Sequence, residues 1–252
     1  MRIIRDYISK MSIEELSKHI DNTMLKPEVG VKGVMEFIEK SLNYNFACLV
    51  IPPCYISEAK EKAYGKVRLA TVISFPLGYQ NIEVKKAEVE RALTDGADEI
   101  DYVINISYVK SGRYDKVKSE AETLSKIVKK GGGVIKAIIE TPYLTNEEIA
   151  LTSKTLNETE VDYIKTCTGF GPRGVVPSDI MIIKENSNKK IKASGGIRTL
   201  IDTIHYIMLG ADRIGTSSGI EIVKEFMKIK GLTNEATSTT SSDRSTVYRY
   251  NP

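Results

Sequence analysis

The sequence predicts an α/β protein, a (β/α)8 TIM barrel in a single domain, and three observations carry that prediction. Short apolar runs alternate with longer amphipathic stretches from residue 19 onward. The apolar runs hold β-branched residues at consecutive positions, as in Ala70-Thr71-Val72-Ile73-Ser74 and Val134-Ile135-Lys136-Ala137-Ile138-Ile139. Burial on both faces is the mark of a parallel sheet covered by helices. The chain has 252 residues, the usual size of one barrel, and repetition of one βα unit favours closure over an open doubly wound sheet.

Strands are expected near 19–24, 46–51, 68–74, 98–105, 134–140, 162–167, 190–194 and 211–216, with helices at 31–42, 81–94, 116–129, 146–156, 177–186 and 199–209. Thr145-Asn146-Glu147-Glu148 and Thr199-Leu200-Ile201-Asp202 each place a hydroxyl N-cap three residues ahead of an acid, which starts a helix. Gly96-Ala97-Asp98-Glu99-Ile100 returns as Gly210-Ala211-Asp212-Arg213-Ile214, each time closing a helix with Gly and opening a strand. That echo suggests a repeated unit. Residues before 19 are expected to form a helix across the bottom of the barrel. Residues 1–230 make up the barrel domain, and 231–252, rich in Ser and Thr, read as a flexible tail with Tyr248 and Tyr250 near its end.

Composition narrows the function. Basic residues number 36 and acidic ones 33, a balance that gives nucleic acid no basic face to bind. No apolar run approaches the roughly 20 residues that span a bilayer, so no membrane partner is expected. The start of the chain carries scattered charges and no apolar leader, and three unpaired cysteines (Cys48, Cys54 and Cys167) fit a reducing compartment; both point to the cytoplasm. With no CxxC pair and only His19 and His205, far apart, no zinc site is expected.

Active sites of such barrels lie at the C-terminal ends of the strands. There the sequence offers Asp101 and Asn105, Lys136 and Glu140, Lys165, Lys192, and Gly215-Thr216-Ser217-Ser218-Gly219. Lysine is almost never fully buried without a partner, so three of them within strands stand out. One alone would snorkel outward; Lys165 and Lys192 on successive strands, each followed by small polar residues, favour function. Lysine titrates near 10.4, so only about one amine in 2,500 is neutral and nucleophilic at pH 7. Lowering that value to about 7 takes roughly 4.6 kcal/mol. A second ammonium about 4 Å away supplies about 4 kcal/mol at an effective dielectric near 20, with burial adding the rest. Asp101, inside a strand, needs a cation; it would pair with a lysine across the lumen or shuttle a proton there.

Two turns have the form of a phosphate grip: Ser194-Gly195-Gly196-Ile197-Arg198-Thr199 and Gly215-Thr216-Ser217-Ser218-Gly219. Glycines let amides approach an anion, a helix N-terminus adds favourable dipole charge, and barrels of this kind commonly bind phosphate after strands seven and eight.

Across residues 13–228 the chain resembles the deoxyribose-phosphate aldolase family. The resemblance is carried by Thr71-Val72-Ile73-Ser74-Phe75-Pro76-Leu77-Gly78, Gly96-Ala97-Asp98-Glu99-Ile100-Asp101, Ile138-Ile139-Glu140-Thr141 and Ile164-Lys165-Thr166-Cys167-Thr168-Gly169-Phe170. Lys192-Ala193-Ser194-Gly195-Gly196-Ile197-Arg198-Thr199 and Gly215-Thr216-Ser217-Ser218-Gly219 complete it. It implies Lys165 as Schiff-base lysine, Lys192 as second active-site lysine, and Asp101 as the aspartate that works with it in proton transfer. Gly169, Gly195, Gly196, Gly215, Ser217 and Ser218 match positions around the substrate phosphate, and Thr168, Cys48, Asp21 and Thr23 resemble further positions close to the substrate. The family usually has Ser where this chain has Cys167, many members begin the first-strand motif with His, and Phe170-Gly171-Pro172-Arg173-Gly174 is altered.

The implied reaction is reversible cleavage of 2-deoxy-D-ribose 5-phosphate to D-glyceraldehyde 3-phosphate and acetaldehyde, by a class I route that needs neither metal nor cofactor. The implied assembly is a homodimer or homotetramer. Two rivals remain at this level: a phosphosugar isomerase, for which Glu140 is the best base, and a non-catalytic phosphosugar-binding protein, which would have no need of Lys165.

Overall fold

A computed structural model of the protein describes residues 2–232. The tail expected over 231–252 therefore lies, from residue 233 on, outside the described residues, and Tyr248 and Tyr250 with it. Gly231 and Leu232 belong to the barrel: Gly231 adopts φ 68°, and the Leu232 amide returns to Met227 O at 2.9 Å.

The strands are β1 (Ile20–Thr23), β2 (Cys48–Val50), β3 (Arg68–Ile73), β4 (Glu99–Val103), β5 (Val134–Ile138), β6 (Tyr163–Lys165), β7 (Lys190–Ser194) and β8 (Arg213–Thr216). Each pairs in parallel with the next and β8 with β1, so the sheet closes into the expected barrel. Closure leaves no unpaired edge.

The connecting helices are α3 (Val31–Ser41), α4 (Ile56–Ala63), α5 (Ile82–Thr94), α6 (Ile106–Lys110), α7 (Tyr114–Lys130), α8 (Asn146–Asn157), α9 (Pro177–Asn186), α10 (Leu200–Leu209) and α11 (Gly219–Ile229). Thr145 caps α8 in a full capping box, and the Thr199 side chain accepts from Asp202 N at the start of α10, as the sequence signalled. Three of the connecting helices, α4, α6 and α11, fall outside the expected ranges, the first two because they are short. In α4, Ile56, Ala59 and Ala63 make a buried stripe only two turns long, and α6 is a single turn capped by Asn105.

The N-terminal segment differs from expectation. Two helices precede the barrel, α1 (Arg2–Lys10) and α2 (Ile13–His19), divided at Ser12, whose capping box with Glu15 restarts the helix. Only α2 sits against the starts of β1 and β8, while α1 lies along α10 on the barrel's outer wall, tied by Lys230 Nζ to Ser9 O. The Ser12-Ile13-Glu14-Glu15 signal was legible in the sequence; the turn of the chain it produces was not.

The echoed Gly-Ala-Asp segments have a physical reason. Gly96 and Gly210 stop their helices at φ 103° and 110°, where a Cβ would be strained. Asp98 and Asp212 then turn a carboxylate onto the second amide of the preceding strand, Leu69 N and Ile191 N, each at 2.8 Å. Asp162 does the same for Ile135 N at 2.8 Å, a third copy of the device without the preceding Gly-Ala.

Alternation along the strands divides the core in two. One face of each strand packs on the helices through residues such as Leu49, Leu69, Ile100, Ile135, Ala137, Ile164 and Ala193. The opposite face lines the lumen. There, register aligns Cys48 with Asp21, Val72 with Asp101, Asp101 with Lys136, Lys165 with Lys192, and Lys192 with Arg213. Cys48, Val50, Ala70 and Val72 form a small apolar cluster on the β2–β3 side; β4 to β8 fill much of the rest with charge.

Candidate active site

Asp101, in the middle of β4, is fully buried and holds three lysines. Lys136 donates to Oδ1 at 2.8 Å, while Lys165 and Lys192 donate to Oδ2 at 2.9 and 2.8 Å. Below them Lys136 meets Glu99 Oε2 at 2.6 Å, Lys192 meets Asp21 Oδ2 at 2.6 Å, and Arg213 meets Asp21 Oδ1 at 2.5 Å. Four cations (Lys136, Lys165, Lys192 and Arg213) thus face three carboxylates (Asp21, Glu99 and Asp101) in a well that excludes most water. One positive charge is in excess, and a low dielectric favours shedding a proton from the least supported cation.

That cation is Lys165. Burial is the largest cause that pulls its pKa below the usual lysine value; the Lys192 and Lys136 charges add to it and Asp101 opposes it. Lys192 differs by one contact. Burial works against its charge too, but Asp101 and Asp21 together outweigh it and raise its pKa. Burial alone would raise the Asp101 carboxyl, yet Lys136, Lys165 and Lys192 hold it well below the ordinary carboxylate range. The structure corrects one sequence expectation here. The neighbouring ammonium is not the leading cause of the Lys165 shift; burial leads, and the shared Asp101 carboxylate opposes it more strongly than the Lys192 charge assists it.

Above the well lies a cavity of about 220 Å³ lined by Lys165 together with Gly169, Gly195, Gly196, Gly215 and Ser217. Ser218 stands one step aside as the N-cap of α11, its amide turned back to Thr216 Oγ1 at 2.9 Å. Of the further positions suggested, Thr23 and Thr168 line the cavity, whereas Asp21 and Cys48 lie buried beneath it. Two glycines are there for space. A Cβ on Gly215 would sit 3.0 Å from Lys192 Cε, and one on Gly174 would sit 2.4 Å from Gly195 O. Arg198 and Lys26 also line the cavity from exposed positions and bring cationic charge to it. Arg198 was visible within the Ser194–Thr199 motif; Lys26 comes from the loop after β1, and only closure of the barrel puts it opposite.

Glu140 is absent from the cavity lining and its carboxylate accepts from Thr168 N, so it is poorly placed as the base of an isomerase. Asp21, Cys48 and Glu99 bring one ligand atom each within 4.8 Å of one another. Their charges are already met by Lys136, Lys192 and Arg213, and burial, with Asp21 next, pushes the Cys48 thiol well up, which keeps it protonated and a poor metal ligand. Among the described residues no helix is long and apolar enough to cross a membrane.

The closed barrel, with the buried Lys165 at the edge of a glycine-lined cavity, suits an aldolase. The model of the DeoC/LacD family of aldolases matches residues 14–225, and the chain belongs to that family. The deoxyribose-phosphate aldolase of Clostridium botulinum (strain Alaska E43 / Type E3) is 45% identical over 216 residues, covering 85% of this chain and 97% of its own. That of Thermococcus gammatolerans is 40% identical over 215 residues, covering 83% and 96%. Among solved structures, the tetrameric deoxyribose phosphate aldolase of Aeropyrum pernix superposes with a TM-score of 0.81 at 32% identity, over 90% of this chain and 98% of that one. QR15, an aldolase, gives 0.80 at 42% identity, over 84% and 96%.

Proposed function

We propose that this protein is a lyase that reversibly cleaves 2-deoxy-D-ribose 5-phosphate to D-glyceraldehyde 3-phosphate and acetaldehyde, with Lys165 as its nucleophile. One observation carries the assignment of the nucleophile: of the lumen lysines, Lys165 alone borders the cavity and has its pKa lowered. The neutral amine adds to the C1 aldehyde, and the resulting carbinolamine takes up one proton and loses water, giving a protonated imine. That cation accepts the electron pair of the C2–C3 bond as it breaks, while the C3 hydroxyl gives up its proton and becomes the aldehyde of the phosphorylated product. The remaining enamine takes a proton on C2, and hydrolysis frees acetaldehyde and Lys165. Asp101 and Lys192, hydrogen-bonded to each other beside the amine, are proposed to relay those protons through water.

The phosphate is proposed to lie against the Gly195-Gly196 turn, Gly215, Ser217 and Gly169, with the N-terminus of α11 at Ser218 behind it and Arg198 and Lys26 as countercharges. A homo-oligomer is also proposed, supported by the tetrameric relative, and sedimentation in solution checks it; the proposed compartment is the cytoplasm. The test of the chemistry is reduction with borohydride in the presence of acetaldehyde, which is expected to leave an N-ethyl group on Lys165. An adduct on another lysine, or none, overturns the reading. Ser217→Asp tests the phosphate site: it is expected to raise KM for the phosphorylated substrate by about tenfold or more through charge repulsion, with far less effect on unphosphorylated 2-deoxyribose.

A further inference from the structure

The carboxylate of Glu140 has no part in the chemistry above, and its surroundings are unusual. Glu140 follows β5, is only 1% exposed, and adopts φ 51° and ψ 63°, a left-handed conformation that costs energy in a residue other than glycine. Its Oε2 accepts the Thr168 amide at 3.0 Å, while its Oε1, also buried, has no hydrogen-bond partner. The backbone on each side is clamped to β6 and the residue after it: Ile139 N donates to Lys165 O and Thr141 N to Thr166 O, both at 2.9 Å. The side chain is thereby aimed beneath the 168–174 loop, so close that a Cβ on Gly171 would lie 3.1 Å from Oε1.

That loop carries Thr168, Gly169 and Phe170 to the cavity. Its far end is well held. Arg173 forks onto Asp179 at 2.8 and 3.0 Å, and Val175 N donates to Gly195 O at 3.1 Å. Its near end, three residues beyond Lys165, is held by the Thr168 amide on Glu140.

We propose that Glu140 is a positioning residue whose carboxylate anchors the near end of the 168–174 loop, setting Gly169 against the substrate phosphate in register with Lys165. The proposal rests on the phosphosugar reading of the cavity. It accounts for a glutamate where glycine would relieve the backbone: only a side chain of this length, launched from this conformation, reaches the Thr168 amide from below. Burial raises the Glu140 pKa, and the hydrogen bonding from Thr168 opposes it by favouring the carboxylate.

Glu140→Gly and Glu140→Asn both tolerate the left-handed backbone, and neither reaches Thr168; Glu140→Gln keeps an acceptor oxygen in place. In the substrate-free protein, the Thr168 amide is expected to exchange hydrogen about tenfold faster or more in the first two variants, the loss of a hydrogen bond to a charged group. The Ile139 and Thr141 amides should keep their protection. KM for 2-deoxyribose 5-phosphate should rise with kcat little changed, activity on 2-deoxyribose should hold, and the Gln variant should follow the parent on every count. Unchanged Thr168 exchange, equal losses on both substrates, a Gln variant as impaired as Gly, or a Glu140→Asn protein that does not fold would each overturn the proposal. A parent enzyme with no preference for the phosphorylated sugar would instead sink the phosphate reading and leave the exchange result standing.

Discussion

Two lysines on adjacent strands are chemically alike in the sequence, and one carboxylate contact makes them different. Lys165 shares Asp101 with two other ammonium groups, whereas Lys192 has Asp21 as well. Lys192→Met removes a positive charge that lowers the Lys165 pKa and also frees Asp101 to stabilise the Lys165 ammonium, so both effects move that pKa up. Activity at pH 7 is expected to fall by about 10²-fold or more with loss of the proton relay, and the optimum to shift alkaline. A pH–rate profile reads both; near-parental activity at pH 7 would show the pairing argument to be wrong. Lys192→Arg keeps the charge without the geometry and should restore little.

Among the helices, α5 and α7 show how the outer layer fixes the inner one. Lys85 and Glu120 form a buried pair at 2.7 Å, and each also holds the backbone just beyond Asp101: Lys85 donates to Val103 O at 2.8 Å and Glu120 accepts from Asn105 N at 3.1 Å. Burial is the largest cause of both shifts, lowering Lys85 and raising Glu120. Many buried pairs are replaced by apolar residues without loss. Here Lys85→Met/Glu120→Leu would orphan a carbonyl and an amide, each worth about 1–3 kcal/mol. The double variant is therefore expected to remain destabilised by a few kcal/mol in urea unfolding, and Glu120→Leu alone to cost about 3–5 kcal/mol, since it leaves the Lys85 charge unpaired. A double variant as stable as the parent would mean that the pair does not secure the end of β4.

For the molecule as a whole, the ionic lumen sets the response to pH. Asp101 and Asp21 are held below their ordinary values against burial, Asp101 by its three lysines and Asp21 by Lys192, Lys136 and Arg213. A depressed carboxyl contributes stability in full above its unfolded value, near 3.9, and loses it as pH falls through the folded value. Lys136, whose pKa is raised above the usual lysine value by Asp101, Glu99 and Asp21 against burial, contributes below about 10.4 and loses its share as pH rises past that. Melting temperature is thus expected to drop steeply below about pH 4. Asp101→Asn should be less stable at neutral pH but flatter on the acid side; an acid slope equal to the parent's would place the linked protons elsewhere.

The sequence by itself determined the barrel, because two-sided apolar strands, capping boxes and the Gly-Ala-Asp echo are local signals that each specify a βα unit. It also determined which residues were candidates for chemistry, since lysine and aspartate within strands contradict simple packing and paired glycines in a turn after a strand suit an anion. What it left open was everything that depends on who faces whom across the lumen. Lys136 read as one more strand lysine, Lys26 as a loop residue and Glu140 as a spare base. Only closure turned the first into a partner of three buried carboxylates, set the second on the cavity wall, and drew the third beneath the Thr168 loop. The physical reason is range. Propensity and alternation act over a few residues, whereas desolvation and charge pairing depend on groups as far apart in the chain as Asp101 and Lys192, and the tertiary structure alone brings them within a hydrogen bond.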